Sequence, residues 1–129
     1  MHRYHFVIIL LILAAVSAGC GLGNSADSDQ AVLESLREAG LDFTQAHPFD
    51  FYVYHPTREG AGQICTQLRA TGFHVSVREA ATGNDWLCFA SLSFVPSIDK
   101  LAEIRDTVEE LTGQYGGEYD GWETIVMPK

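Results

Sequence analysis

Trp86-Leu87-Cys88-Phe89-Ala90-Ser91-Leu92-Ser93-Phe94-Val95 decides the fold. Its first half is apolar at successive positions, so neither face of the segment suits water. The segment reads as a strand in the middle of a sheet. Just upstream, Ala80–Asp85 (AATGND) gathers turn formers. Before that turn, Phe73–Val77 (FHVSV) alternates strictly, with Phe73, Val75 and Val77 on one face. These two strands form a hairpin.

Farther upstream, Ala61, Ile64, Cys65 and Leu68 recur at i, i+3, i+4 and i+7, which predicts one apolar helical stripe. Thr57 is its expected N-cap, Glu59 sits near the positive end of its dipole, and Gly72 ends it. Phe49–His55 (FDFYVYH) precedes it as another strand. Phe49, Phe51 and Val53 fall on one face; Asp50, Tyr52 and Tyr54 fall on the other. A short helix over Asp29–Ala39 with Val32, Leu33, Leu36 and Ala39 on one side opens the domain, and Gly40 stops it. Downstream of the central strand, Leu101, Ile104, Val108, Leu111 and Tyr115 step 3, 4, 3, 4 along a helix from Ser97 to about Tyr115. Glu118–Met127 is the last strand, with a kink or bulge expected at Asp120-Gly121.

After the short helix the order is β-α-β-β-α-β, which is the ferredoxin-like split βαβ arrangement of the α+β class. A four-stranded antiparallel sheet is expected, with both long helices on one face. Right-handed crossovers are expected to bring the 49–55 and 86–95 strands side by side and parallel in the middle. The hairpin puts the 73–77 strand on one edge, and the last strand pairs with the first. The face opposite the helices is either covered by the N-terminal helix or the Leu41–Pro48 loop, or left open as a contact surface.

Asp50-Phe51-Tyr52-Val53-Tyr54-His55-Pro56-Thr57, the Ala70-Thr71-Gly72-Phe73-His74-Val75 junction and Gly117-Glu118-Tyr119-Asp120-Gly121-Trp122 together resemble the RraB family. The Tyr-Asp-Gly-Trp tetrad is the most distinctive part, and the likeness runs from about Ala31 to Met127. The resemblance implies a ferredoxin-like fold and a protein that binds ribonuclease E and lowers its activity without being a nuclease itself. Cytoplasmic members often carry an acidic C-terminal tail, whereas this sequence ends at Lys129.

The N-terminus points elsewhere in the cell. Phe6–Val16 is an unbroken apolar run, shorter than the about 20 residues a free-standing transmembrane helix needs. Ser17-Ala18-Gly19-Cys20 follows and resembles a bacterial lipobox, with Ser17 where Leu is usual. Residues 1–19 are therefore read as a lipoprotein-type signal peptide, 20–29 as a polar tether, and 30–129 as the domain. Cys20 is the expected lipid attachment site, and several acyl chains give stable membrane anchoring. Gly21, rather than Asp, after Cys20 favours the outer membrane if the host has one. An exported regulator would not meet cytoplasmic ribonuclease E, so a different envelope protein is the expected partner.

The chain of 129 residues holds 8 Lys+Arg against 17 Asp+Glu, a net charge of −9. Only Arg3 is charged before Cys20, so the rest carries 7 basic against 17 acidic groups, net −10. Such a surface opposes nucleic-acid binding, which needs phosphate contacts from Lys and Arg. The acidic residues Asp99, Glu103, Asp106, Glu109, Glu110 and Glu118 read as a solvated helix face, with steering of a basic partner as the sharper reading. No GxSxG, P-loop or dinucleotide fingerprint occurs, and no cofactor is expected. His47, His55 and His74 show no metal-ligand spacing. Cys65 and Cys88 read as two small buried hydrophobes, with a disulfide as the alternative in an oxidising compartment.

The candidate protein-binding residues are Tyr52, Tyr54, Arg78, Asp120 and Trp122. Tyr52 and Tyr54 share the non-core face of their strand with His74, Ser76 and Arg78 of the next, and Trp86 or Trp122 would complete an aromatic platform. Trp122 is read either as an interface anchor or as a cover for the sheet, with Asp120 and Gly121 shaping the turn. The reading is a non-catalytic protein-binding regulator tethered to the cell envelope. An accessory envelope lipoprotein that self-associates as a homodimer or supports an assembly is the second reading, and an uncharacterised envelope enzyme the third.

Overall fold

Two hydroxyl side chains start the two helices that connect strands of the sheet. In the computed structural model, which describes residues 8–9 and 25–126, Thr57 Oγ1 accepts from the Gly60 N–H at 3.0 Å and Ser97 Oγ from the Lys100 N–H at 3.1 Å. Each satisfies a backbone donor that the first helical turn leaves unpaired. The elements run β1 (Ile8–Ile9), α1 (Ser25–Glu38), β2 (His47–His55), α2 (Arg58–Ala70), β3 (His74–Glu79), β4 (Trp86–Phe94), α3 (Ile98–Gln114) and β5 (Glu118–Val126). Cys20 and the rest of the leader and tether, apart from Ile8–Ile9 and the residues from Ser25 on, lie outside the described residues. No described helix is long and apolar enough to cross a membrane.

The sheet order is β1-β5-β2-β4-β3, every neighbouring pair antiparallel. Strands β2 to β5 form the expected four-stranded α+β core, consistent with a ferredoxin-like split βαβ arrangement. One expectation is corrected. β2 and β4 are neighbours, as expected, but they run antiparallel, with Phe51 opposite Ala90. The crossover through α2 makes β2 parallel to β3, and the hairpin then inserts β4 between them in the reverse direction. The two-residue β1 pairs with Ile125 and Val126 on the outer edge of β5.

Side-chain alternation divides the sheet into two faces. Phe49, Phe51 and Val53 of β2 are fully buried on the inner face, beside Cys88 and Ala90 of β4 and Trp122 and Val126 of β5. Phe49 stacks on Phe94 with ring centroids 4.2 Å apart, and Phe51 meets the edge of Phe73 at 5.9 Å. The helical stripes predicted from the sequence, Ala61–Ile64–Cys65–Leu68 and Leu101–Ile104–Val108, close over this face. Burying one such Phe, Leu or Ile side chain stabilises the fold by about 1.5–3 kcal/mol.

Helix α1 starts at Ser25, not at Asp29. The end of the stretch read as tether is helical, and Asp29 is buried. The helix lies on the inner side beside α3, with Leu33 and Leu36 in the same core. It does not cover the outer face, and Leu41 of the loop after it is also drawn into the core. The covering expected from this helix and loop therefore falls on the side that α2 and α3 already occupy.

Cys65 of α2 and Cys88 of β4 are buried as expected, and they are also joined by a disulfide, with Cα atoms 5.7 Å apart. Both belong to apolar positions facing the same core, which brings them into bonding reach. The bulge expected near Asp120-Gly121 is present. The β2–β5 register shifts between Tyr52 and Val53, and Gly121 takes φ of 122°, a conformation that L side chains rarely adopt.

Candidate protein-binding face

The outer face of the sheet is built from alternate residues of four strands. β2 contributes Asp50, Tyr52 and Tyr54; β4 contributes Leu87, Phe89 and Ser91. β3 adds His74, Ser76 and Arg78, and β5 adds Glu118, Gly121, Glu123 and Ile125. None of the three described helices packs over it. Tyr52, Tyr54 and Phe89 are half-buried by one another and by the strands, while Arg78 and Ile125 are exposed.

At the centre, the Tyr52 and Phe89 rings meet edge to face, centroids 5.5 Å apart. The Arg78 guanidinium sits over Phe89 at 4.8 Å and is held by a 2.9 Å hydrogen bond to Ser76 Oγ. The Tyr52 hydroxyl donates to Glu123 Oε1. Burial first, and that carboxylate second, push the Tyr52 phenol above its ordinary value. Burial and nearby Asp120 raise Tyr54 likewise. Both phenols are donors, not phenolates, at neutral pH.

The structure brings Tyr52, Tyr54 and Arg78 onto this one face, and Asp120 stands close enough to Tyr54 to act on it. It does not bring Trp122 there. Trp122 lies on the inner face, 3% exposed, its ring 5.4 Å from Phe49, so it covers the core and offers no anchor to a partner. Trp86 also faces inward, under the Arg58 guanidinium at 5.4 Å. The ring that completes the platform is Phe89, with Leu87 beside it. Their signal was the two-sided apolarity of the central strand. His47, His55 and His74 are spread over three strand ends, and no described group of three His, Cys, Asp or Glu could hold a metal ion.

A second polar centre lies under the helices. The Arg105 guanidinium of α3 pairs with Asp29 Oδ2 of α1, and Trp122 Nε1 donates to Asp29 Oδ1 at 3.0 Å. Burial outweighs these partners and raises the Asp29 carboxyl, while Asp29 and the neighbouring acids raise Arg105 despite its own burial. The Tyr119 hydroxyl and Arg105 Nε are buried there without a hydrogen-bond partner among the described residues. This constellation fixes α1 to α3 and β5. The signal was a charge on each of two apolar helical stripes: Asp29 precedes Val32, Leu33 and Leu36 by three, four and seven residues, and Arg105 lies four after Leu101 and three before Val108.

A family model described as Regulator of ribonuclease activity B, RraB, matches residues 26–124. No curated protein matches the chain. The matched span begins within α1 and ends in β5, so it takes in both the outer face and the Asp29 centre.

Proposed function

This chain belongs to the RraB family, and from that premise we propose that it is a non-catalytic regulator that binds another protein through the outer face of its sheet, in the cell envelope. The observation that carries the reading is a sheet face that no described helix covers and whose centre is aromatic. Tyr52, Tyr54 and Phe89 are the side-chain types that anchor protein interfaces, and no described helix shields them. The family description supports a regulatory role.

The leader ahead of Cys20 and the disulfide between Cys65 and Cys88 both support the envelope. Disulfides persist in oxidising compartments and are rare in the cytosol. In this reading the lipid on Cys20 and the following residues hold the domain at the membrane surface. Ribonuclease E, the partner implied by resemblance, stays on the other side, so the partner is an envelope protein.

A photo-crosslinking residue at Phe89, compared with one at the exposed Glu110 of α3, tests the docking face in intact cells. The expected result is an adduct with an envelope protein from position 89 and none from 110. Adducts from 110 alone, or an adduct with a cytoplasmic ribonuclease, would overturn the reading. Palmitate labelling of the wild type but not of Cys20→Ala is expected for the anchor; equal labelling of both removes it.

A further inference from the structure

The outer face is not only aromatic; its β2–β5 half is acidic. Asp50 and Glu123 stand directly opposite each other in the β2–β5 register, and Tyr54 stands opposite Glu118, with Asp120 between Glu118 and Gly121. Like charges directly opposite on one sheet face destabilise it. Among the described residues no Lys or Arg forms a salt bridge with Asp50, Glu118, Asp120 or Glu123. The one strong cation of this face, Arg78, belongs to β3, separated from β5 by both β2 and β4. With strands about 4.8 Å apart it lies well outside ion-pair reach of the acidic rows.

Resting on the docking reading above, we propose that this face takes an extended, cationic protein segment whose Lys or Arg side chains lie along the Asp50–Glu123 and Tyr54–Glu118 rows. A cation placed between Asp50 and Glu123 relieves their repulsion. The Tyr54 ring offers aromatic surface to the guanidinium or ammonium groups, and Phe89, which already carries Arg78, adds apolar edge to their stems. Ile125, exposed at the end of the row, adds an apolar contact. Charge decides against the other occupants. A second copy carries the same excess of acidic groups and would be repelled, as would a phosphate backbone or an anionic lipid surface.

The test uses the full-length protein in dodecyl maltoside micelles and two labelled peptides, six Lys-Thr repeats and six Glu-Thr repeats, read by fluorescence anisotropy at low salt. The Lys peptide is expected to bind and the Glu peptide not to. Asp50→Asn/Glu123→Gln is expected to weaken the Lys peptide at least tenfold, since Gln still accepts from Tyr52. Asp99→Asn/Glu110→Gln, the same charge change on exposed positions of α3, is expected to weaken it less than twofold. Glu118→Gln/Asp120→Asn gives an independent reading of the second row, also with a loss of several-fold or more. Equal weakening by the face and α3 variants, or no binding of the Lys peptide, overturns the proposal. A crosslink from Phe89 that persists undiminished in Asp50→Asn/Glu123→Gln leaves the docking face standing and removes its cationic partner alone.

Discussion

Asp29 and Trp122, 93 residues apart in the chain, meet under the helices, where the indole Nε1 donates to the carboxylate at 3.0 Å. Arg105 holds the other oxygen of the same carboxylate. One short acidic side chain thereby ties the first helix to α3 and β5. Its place in the fold explains why the Tyr-Asp-Gly-Trp stretch is structural at its tryptophan.

Removing either charge from this buried pair strands the other. Asp29→Asn or Arg105→Met is expected to lower stability by about 3–5 kcal/mol, and the double variant by less than the two together. Trp122→Phe, which removes one donor from a buried carboxylate, is expected to cost about 1–3 kcal/mol. Urea unfolding followed by circular dichroism checks all four, and additive single costs would contradict the coupling.

Gly60 and Gly62 occupy the same helix but should respond to alanine in opposite senses. A Cβ at Gly60 would lie 2.0 Å from the His55 ring. That ring cannot retreat freely, because Nε2 donates to the Tyr115 carbonyl at 2.8 Å and Nδ1 accepts from the Thr57 N–H at 2.9 Å. A Cβ at Gly62 meets nothing within 4 Å. Gly60→Ala is expected to destabilise by about 1–3 kcal/mol through overpacking. Gly62→Ala is expected to stabilise by up to about 1 kcal/mol through helix propensity. Thermal melts of the two variants decide it.

The Cys65–Cys88 disulfide closes a separation of 23 residues between α2 and β4. Constraining the unfolded chain over such a loop stabilises by about 3 kcal/mol. Reduction with dithiothreitol, or replacement of both cysteines by alanine, is expected to lower the urea midpoint correspondingly. An unchanged midpoint on reduction would contradict a structural bond.

Burial raises the carboxyls of Glu109 and Asp120 above their ordinary values; Arg105 opposes the shift at Glu109, and nearby acids add to it at both. A carboxyl raised by folding favours the folded state while protonated, and that contribution is lost as pH rises through its folded value. Glu109→Gln/Asp120→Asn is therefore expected to be more stable than the wild type near pH 7. The difference should shrink as pH falls through the carboxylate range and the wild-type groups take up protons. A difference that grows on acidification would reverse the sign.

Much of the fold is legible in the residues. The two helical stripes, their Thr57 and Ser97 caps, the hairpin and the bulge at Gly121 are local features written in periodicity and turn chemistry. The direction of β4 against β2 is a consequence of how crossover and hairpin combine, and pattern alone misjudged it. The outer face was half legible: Tyr52, Tyr54 and Arg78 alternate visibly, but Phe89 in a doubly apolar strand carries no mark of which side it faces. Register with β2 assigns it. Trp122 was a reasonable anchor by residue type, yet the one-residue shift at the bulge decides which face each side chain of β5 takes. The Asp29–Arg105 pair joins distant segments: a charge on each apolar stripe marks the two residues, but local pattern does not say that they meet.

If this domain works beyond the cytoplasm, Cys65 and Cys88 are joined in growing cells, and their redox state there decides the compartment. Cells are quenched in acid and free thiols alkylated before mass analysis of the full-length gene product and of a form lacking residues 1–19. Cys65 and Cys88 are expected to resist alkylation in the first and to be modified in the second. Full modification of both in the full-length product would contradict that expectation and return the domain to the side of the membrane where ribonuclease E resides.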